Sequence, residues 1–449
     1  MNLLKCTNSI YVLILLACFG IISCKREWLD AKPDKSLVVP KTIADYQAFL
    51  DNTAFFTNQA CSFAEMSTDD YYVSYADWLA ADMQGKNVYV WAKYQLEGTA
   101  NSDWNRCYAR LLANNIVLEG ISKITPIDIA YNNVKGTALF NRAYDTYILA
   151  QEFCKPYDAS TSENDLGVAL RLTGNLNDKL IRSTVAKTYR QIIEDLKAAR
   201  NLLPVTPLYK SRPSLPAAYA MLARIYTTME DYPNAKKYAD SCLQIYNTLL
   251  DYNTLNTSAS RPIPLFNNEV ILNWDNGVNL IILSGLVDPT LYSSYDDNDL
   301  RKSAFFNSTT KIFKGSYNGS AIHFNGLAVD EVYLIRAECQ ARTGKTIAAL
   351  EDLNTLLLKR FATGTFVPIA AVDEIDALRK ILIERRKELC YRGLRWTDLR
   401  RLNKDPRFAI TLTRNLNGEI YTLPPNDLRY TFEIPQNEIL ITGLEQNQR

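Results

Sequence analysis

Long stretches of this 449-residue chain repeat apolar residues at the three- and four-residue spacing of an α-helix. Two long helices are predicted within residues 104–157, and a third spans about residues 185–203. Further helical pairs begin near Leu222 and Tyr333. Because each pair must bury its apolar faces against other helices, the pattern restricts the chain to a mostly α-helical fold.

Small residues recur at matching places in two of the predicted pairs. Ala223 precedes Ala235 by twelve positions, and Ala337 precedes Ala349 by the same number. Small side chains there let antiparallel helices approach closely and stack on the next pair, as in the tetratricopeptide repeat. Ordinary helical hairpins are the alternative. The pairs are not contiguous in sequence, so we do not expect a simple open solenoid.

Two segments lack the helical pattern. Residues 54–103 are rich in Tyr, Trp, Asp and Asn, and residues 251–325 alternate short apolar stretches with Asn, Asp, Ser, Gly and Pro. They are predicted to form loops and short strands, including residues 270–272 and 280–283. We therefore expect a tetratricopeptide-like scaffold, at about residues 104–250 and 328–402, that carries an irregular, ligand-binding half.

The composition excludes several classes of protein. Fifty Lys and Arg residues against 49 Asp and Glu give a net charge of +1, which argues against a nucleic-acid binder. His323 is the only histidine, so a metal site with two imidazole ligands is impossible. Neither a cofactor nor a metal is expected.

The N-terminus has the features of an export signal. Residues 10–22 are almost entirely apolar but too few to span a bilayer, which needs about 20 residues. They end in a small residue and a cysteine, as in a bacterial lipobox. We expect cleavage of residues 1–23, lipidation of Cys24 and a single body over residues 24–449 that is tethered to a membrane.

The other cysteines are scattered and form no CxxC pair, so neither a zinc site nor redox chemistry is indicated. Most lie in helical apolar patterns. We expect them to be buried free thiols.

Apparent catalytic and metal motifs have simpler interpretations. Gly344 and the two residues after it imitate a phosphate-binding loop, but the required earlier glycine is Cys339, which favours a turn between helices. The acidic residues 296–299 lack the glycine and distal glutamate of a calcium loop. Asp69 and Asp70 are adjacent, so in an extended segment their side chains would point apart.

Aromatic residues suggest a ligand-binding surface. Sugar rings stack on flat aromatic faces, and carboxylates accept hydrogen bonds from hydroxyl groups. The irregular segments supply these candidates: Asp69, Tyr71, Tyr72, Tyr75, Trp78, Trp91, Trp274, Tyr292 and Tyr295. Any one of them could instead fill the core, but we expect at least two or three to face solvent.

Residues 384–401, ERRKELCYRGLRWTDLRR, resemble the C-terminal signature of the SusD/RagB family, ERRxELxxEGxRWxDLxR. The chain departs from it at Arg392, where the family normally has Glu. Gly393 suits a left-handed position at a helix end. Residues 330–338 and 434–439 are also similar to family segments, so the resemblance covers essentially the whole chain.

The resemblance implies a surface lipoprotein that is not an enzyme and that captures glycans over a SusC-like TonB-dependent transporter. Oligopeptide is the alternative cargo. A lipid-anchored scaffold for protein partners is the alternative role, and a surface glycosidase is less favoured. The resemblance also implies a location on the outer membrane, facing the exterior. The charged signature itself is expected to form either solvated ion pairs or ion pairs between helices.

Overall fold

A computed structural model describes residues 40–57, 62–93, 103–277 and 280–449. Residues 42–449 form one compact unit. The predicted signal sequence, Cys24 and Cys61 lie outside the described residues.

About half of the described residues are in α-helices. In chain order, the helices α1 to α18 are Ile43–Leu50, Thr53–Phe56, Phe63–Met66, Tyr75–Ala80, Met83–Tyr89, Asp103–Ile121, Ile129–Phe153, Val185–Arg200, Leu215–Thr228, Tyr232–Ile245, Leu280–Leu283, Pro289–Ser293, Leu300–Phe305, Val329–Arg342, Thr346–Leu357, Glu374–Leu389, Arg395–Leu402 and Gln436–Thr442. No helix in this part of the chain is both long enough and apolar enough to cross a membrane.

The strands are short and form antiparallel pairs. In chain order, β1 to β8 are Tyr71–Tyr72, Leu166–Ala169, Arg182–Thr184, Val270–Leu272, Leu286–Val287, Leu327–Ala328, Leu412–Leu416 and Glu419–Leu423. They pair as β1–β5, β2–β3, β4–β6 and β7–β8.

The long helices form a continuous stack. Helices α6 to α10 pack in sequence, each against the next, and α14 then packs on α10 and is followed by α15 and α16. Ala223, Ala235, Ala337 and Ala349 are all fully buried, as the close approach of paired helices requires. The two alanine-bearing pairs are therefore neighbours in space, although residues 246–328 separate them in sequence.

The sequence prediction was correct for the long helices and incomplete for the rest. Strand β4 lies where it was predicted, but residues 280–283 form a helical turn instead of a strand. The segment predicted as loops at residues 54–103 contains the short helices α3 to α5. These helices have too few turns to show a periodic pattern in the sequence.

The described cysteines confirm the prediction of buried thiols. All five are buried thiols: Cys107, Cys154, Cys242, Cys339 and Cys390. Burial raises the pKa of the Cys242 thiol to about 12, which keeps it protonated at neutral pH.

Candidate ligand-binding surface

Strand β1 and helices α4 and α5 bring three aromatic side chains to the surface. Side chains alternate along a strand, so Tyr71 points into the core and Tyr72 points to solvent. Ser74 then caps α4 by accepting a hydrogen bond from the Asp77 amide at 3.1 Å. The cap starts the helix at Tyr75 and directs its ring outward.

Tyr75 and Trp78 lie one helical turn apart and stack on each other, with ring centroids 5.9 Å apart and planes inclined by 25°. The Trp78 indole nitrogen donates to the Lys86 carbonyl at 3.2 Å, which ties α4 to α5 and fixes the ring. Tyr72 and Tyr75 each expose 41% of their surface. We call Tyr72, Tyr75 and Trp78 the aromatic ridge.

Another aromatic residue lies beside the ridge and was missed in the sequence. Tyr421 of β8 is half-buried, and its pKa is raised by burial and by the nearby Glu419 and Tyr75 side chains. The alternation of residues 419–423 could have indicated a strand. Only the packing of the β7–β8 hairpin brings Tyr421 to Tyr75.

Four of the nine candidates belong to the core. The polar atom of each ring donates to a backbone carbonyl: Tyr71 to Met66 at 2.9 Å, Trp91 to Ser67 at 3.0 Å, Trp274 to Ser211 at 3.0 Å and Tyr295 to Lys387 at 2.7 Å. Each ring is at most 3% exposed. Neighbouring side chains already cover their faces, so in this structure the four rings cannot stack on a sugar.

Tyr292 is half-buried, and the Lys311 ammonium lies 4.1 Å from its ring centroid. The cation occupies one face of the ring. Tyr292 is therefore a weaker candidate than the members of the aromatic ridge.

Asp69 lies below the ridge and is held by arginines. Arg395 donates to both of its carboxylate oxygens, at 2.7 and 2.8 Å. Burial alone would raise the pKa of Asp69, but Arg395 and Arg386 outweigh it and hold this pKa well below its usual range. Arg386 also contacts Asp70. The two carboxylates thus face a shared guanidinium, which corrects the prediction that they point apart.

The signature segment is a structural junction, as its interpretation from sequence predicted. Arg301 contacts Glu384 at 2.6 Å and Glu388 at 2.9 Å, and Arg360 contacts Glu388 at 2.7 Å. Burial would raise the pKa of Glu388, but these two arginines lower it instead. The charges therefore join α16 to the irregular half.

Arg392, where the chain departs from the family pattern, contacts a buried carboxylate and an aromatic ring. Its guanidinium donates to the buried carboxylate of Asp330 and lies 4.7 Å from the Tyr317 ring centroid. Gly393 follows with φ +69°, which confirms the predicted left-handed conformation, but it lies in the turn before α17 and not at the end of α16. A Cβ at this position would lie 2.7 Å from the Asn325 side-chain oxygen, so glycine is required there.

The clustered carboxylates already have protein cations as partners. Oxygens of Glu269, Asp330 and Glu388 lie within 4.8 Å of one another, but Arg360 binds two of these residues and Arg392 the third. In the acidic loop, Asp299 binds Arg301 at 2.6 Å. Each of these four carboxylates is therefore paired with a guanidinium group of the protein.

Comparisons with known proteins agree with this architecture. A sequence model described as SusD-like, "Starch-binding associating with outer membrane", matches residues 27–227, and a SusD family model matches residues 244–447. SusD-like protein P2 of Formosa agariphila is 24% identical and covers 81% of this chain and 84% of its own.

Solved structures share the fold. A SusD superfamily protein from Bacteroides thetaiotaomicron has a TM-score of 0.71 and 20% identity, covering 91% of this chain and 100% of its own. A SusD-like carbohydrate binding protein from Bacteroides vulgatus has a TM-score of 0.67 and 19% identity, covering 90% and 97%. The mostly α-helical, SusD-like fold predicted from the sequence is confirmed, and the chain belongs to the SusD/RagB family.

Proposed function

We propose that this protein is a lipid-anchored, non-enzymatic binding subunit that captures an oligosaccharide on the aromatic ridge and delivers it to a SusC-like TonB-dependent transporter. The stacked pair of the exposed Tyr75 and the half-buried Trp78 carries the proposal. It presents a flat apolar face to solvent, on which the C–H face of a sugar ring can stack.

The polar surroundings of the ridge support binding. Asp77, in the first turn of α4, accepts a hydrogen bond from the Ser74 hydroxyl, and Asp82 caps α5. Tyr72 and Tyr75 carry hydroxyl groups in partly exposed positions. A ligand that offers apolar faces and many hydroxyl groups is complementary to such a surface. The nearby carboxylate of Asp69 is held by Arg395, which supports binding in preference to acid–base catalysis.

The names of related proteins support the same cargo and location. One family description is "Starch-binding associating with outer membrane", and one neighbour is named a carbohydrate binding protein. Lipidation of Cys24 would hold the body at the membrane and place the ridge near a transporter.

Calorimetry on the full chain in detergent tests the cargo. The panel contains neutral and acidic oligosaccharides and short peptides, and oligosaccharide binding is expected. Tyr75→Ala should weaken it by roughly 5- to 10-fold, since a lost aromatic contact costs about 1 kcal/mol or more. Tyr209, 58% exposed elsewhere on the surface, supplies the control Tyr209→Ala, which should bind as the wild type does.

Other results would reject the proposal. Preferential peptide binding would replace the glycan cargo with the oligopeptide alternative. Equal affinities of the wild type and Tyr75→Ala would exclude the ridge as the binding surface. If no panel member binds and no large outer-membrane barrel co-purifies, the import function fails. Mass spectrometry of Cys24→Ser tests the anchor separately, because the lipid mass should disappear.

A further inference from the structure

A cavity of about 260 Å³ lies in the irregular half, outside the aromatic ridge. One side is apolar and includes Leu283, Ile312 and Phe313. Arg261, Lys314 and His323 are also lining residues. The volume falls just below the roughly 300–1,000 Å³ typical of small-ligand pockets, which suits a single sugar residue.

The charge of this cavity is not balanced. Among its lining residues, all in the described part of the chain, there is no Asp or Glu. The exposed Arg261 donates from Nη1 only to the adjacent Ser260 carbonyl at 2.8 Å, and Lys314 donates to the neutral carbonyls of Thr257 and Ala259. Neither cation forms an ion pair within the described ranges. By contrast, most of the buried or half-buried arginines in the described ranges are bound to carboxylates.

The imidazole of His323 is the third basic group in the lining of this cavity. The ring packs edge-on against Phe313 and Tyr391, at centroid distances of 5.3 Å. No hydrogen bond of its nitrogens is seen within the described residues. Burial and the positive charge of Arg261 lower the pKa of His323 to about 4. Asp275 forms a backbone β-bridge with Phe324, the residue after His323. Its carboxylate accepts a hydrogen bond from the Asn318 side chain and not from His323.

The cavity wall lies near the aromatic ridge. Tyr72 of β1 pairs with Leu286 of β5, and Leu286 pairs in turn with Ile312 in the cavity wall. Residues paired in this way lie side by side on one face, and adjacent strands are about 4.8 Å apart. Tyr72 is thus roughly 10 Å from Ile312. A short oligosaccharide on the ridge can reach the cavity.

We propose that this cavity binds an anionic sugar residue, carrying a carboxylate or a sulfate ester, so that the cargo of the protein is an acidic oligosaccharide. Arg261 and Lys314 bind the anionic group, and Ile312 and Phe313 contact the apolar part of the sugar. This inference rests on the proposed function and names its class of substrate.

The sole histidine makes a direct test possible. The full chain, labelled with ¹³C in its histidine ring and carrying no histidine tag, is titrated by NMR with D-glucuronate, D-glucose 6-sulfate, D-glucose or sodium acetate at equal ionic strength. An anion bound beside His323 favours the imidazolium, so the acidic sugars should raise its pKa from about 4 to about 5 or higher. Glucose should leave the pKa unchanged.

Two variants complete the design. Arg261→Gln removes an exposed guanidinium and should abolish the saturable response to both acidic sugars. Arg379→Gln removes the same charge from an exposed position on α16 and should preserve that response.

Three results would overturn the inference: no response to either acidic sugar, an equal response to acetate, or an unchanged response in Arg261→Gln. If the ridge still binds neutral oligosaccharides by calorimetry, the proposed function stands while this inference fails. If no oligosaccharide binds at all, both fail.

Discussion

The buried histidine should make this protein lose stability in mild acid, before most carboxylates titrate. His323 is 6% exposed and lies between the rings of Phe313 and Tyr391. Burial and the charge of Arg261 lower its pKa from an ordinary 6.5 to about 4. The folded protein therefore resists protonation of an imidazole that the unfolded chain protonates readily. The perturbation is His323→Asn, which removes this titration.

The sign and size of this stability change follow from the difference between the folded and unfolded pKa values of His323. Because the folded pKa lies below the unfolded one, the wild type is most stable above pH 6.5 and loses stability as the pH falls toward 4. Between pH 7.5 and pH 5 the loss from this one group is about 2 kcal/mol, since each pKa unit corresponds to about 1.4 kcal/mol. The carboxylates are the same in both proteins, so their contribution cancels in the comparison.

Urea unfolding at pH 7.5, 6 and 5 measures this effect. His323→Asn will also lose packing against its aromatic neighbours, but that loss is independent of pH. The quantity compared is the change in unfolding free energy with pH, which should be about 2 kcal/mol larger for the wild type. Parallel pH profiles for the two proteins would refute the reasoning and show that water reaches the imidazole.

Three further predictions concern the scaffold. Arg392→Glu, which restores the usual family residue, should destabilise the fold by about 3–5 kcal/mol, since it leaves Asp330 beside a second buried carboxylate. An unchanged midpoint of urea unfolding would contradict this prediction. Arg379→Glu is the control. Ala235→Leu should cost about 1–3 kcal/mol by forcing α9 and α10 apart, and Ala198→Leu on an exposed helix face should not; equal melting temperatures would disprove the close approach. The five described cysteines should react with a thiol reagent only on unfolding, so prompt labelling of any one, located by peptide mapping, would contradict its burial.

Local pattern was enough for the long helices and for the signature. Helix α8 begins at Val185, one residue after its cap Thr184, and its apolar face repeats every three or four residues. The Gly344 turn was likewise predictable, and it has φ +73° in the structure. These features depend on residues close together in sequence, so the sequence alone contains the necessary information.

The aromatic surface could be predicted only as a set. Tyr71 and Tyr72 are neighbours of the same type, but one is 1% and the other 41% exposed, because β1 packs one face on the core. Trp91 and Trp274 lie in the irregular segments that were predicted to bind ligand, but both are buried. Exposure depends on what packs against a residue from distant parts of the chain.

The amino-acid sequence by itself determined the helical class, the family, the buried thiols and the presence of a single titratable imidazole. Only the tertiary structure decided which tyrosines reach solvent, which carboxylate each signature arginine binds, and that Arg261, Lys314 and His323 share one cavity. The physical reason is range: helix periodicity and caps act over a few residues, whereas burial and ion pairing depend on contacts between residues far apart in the chain.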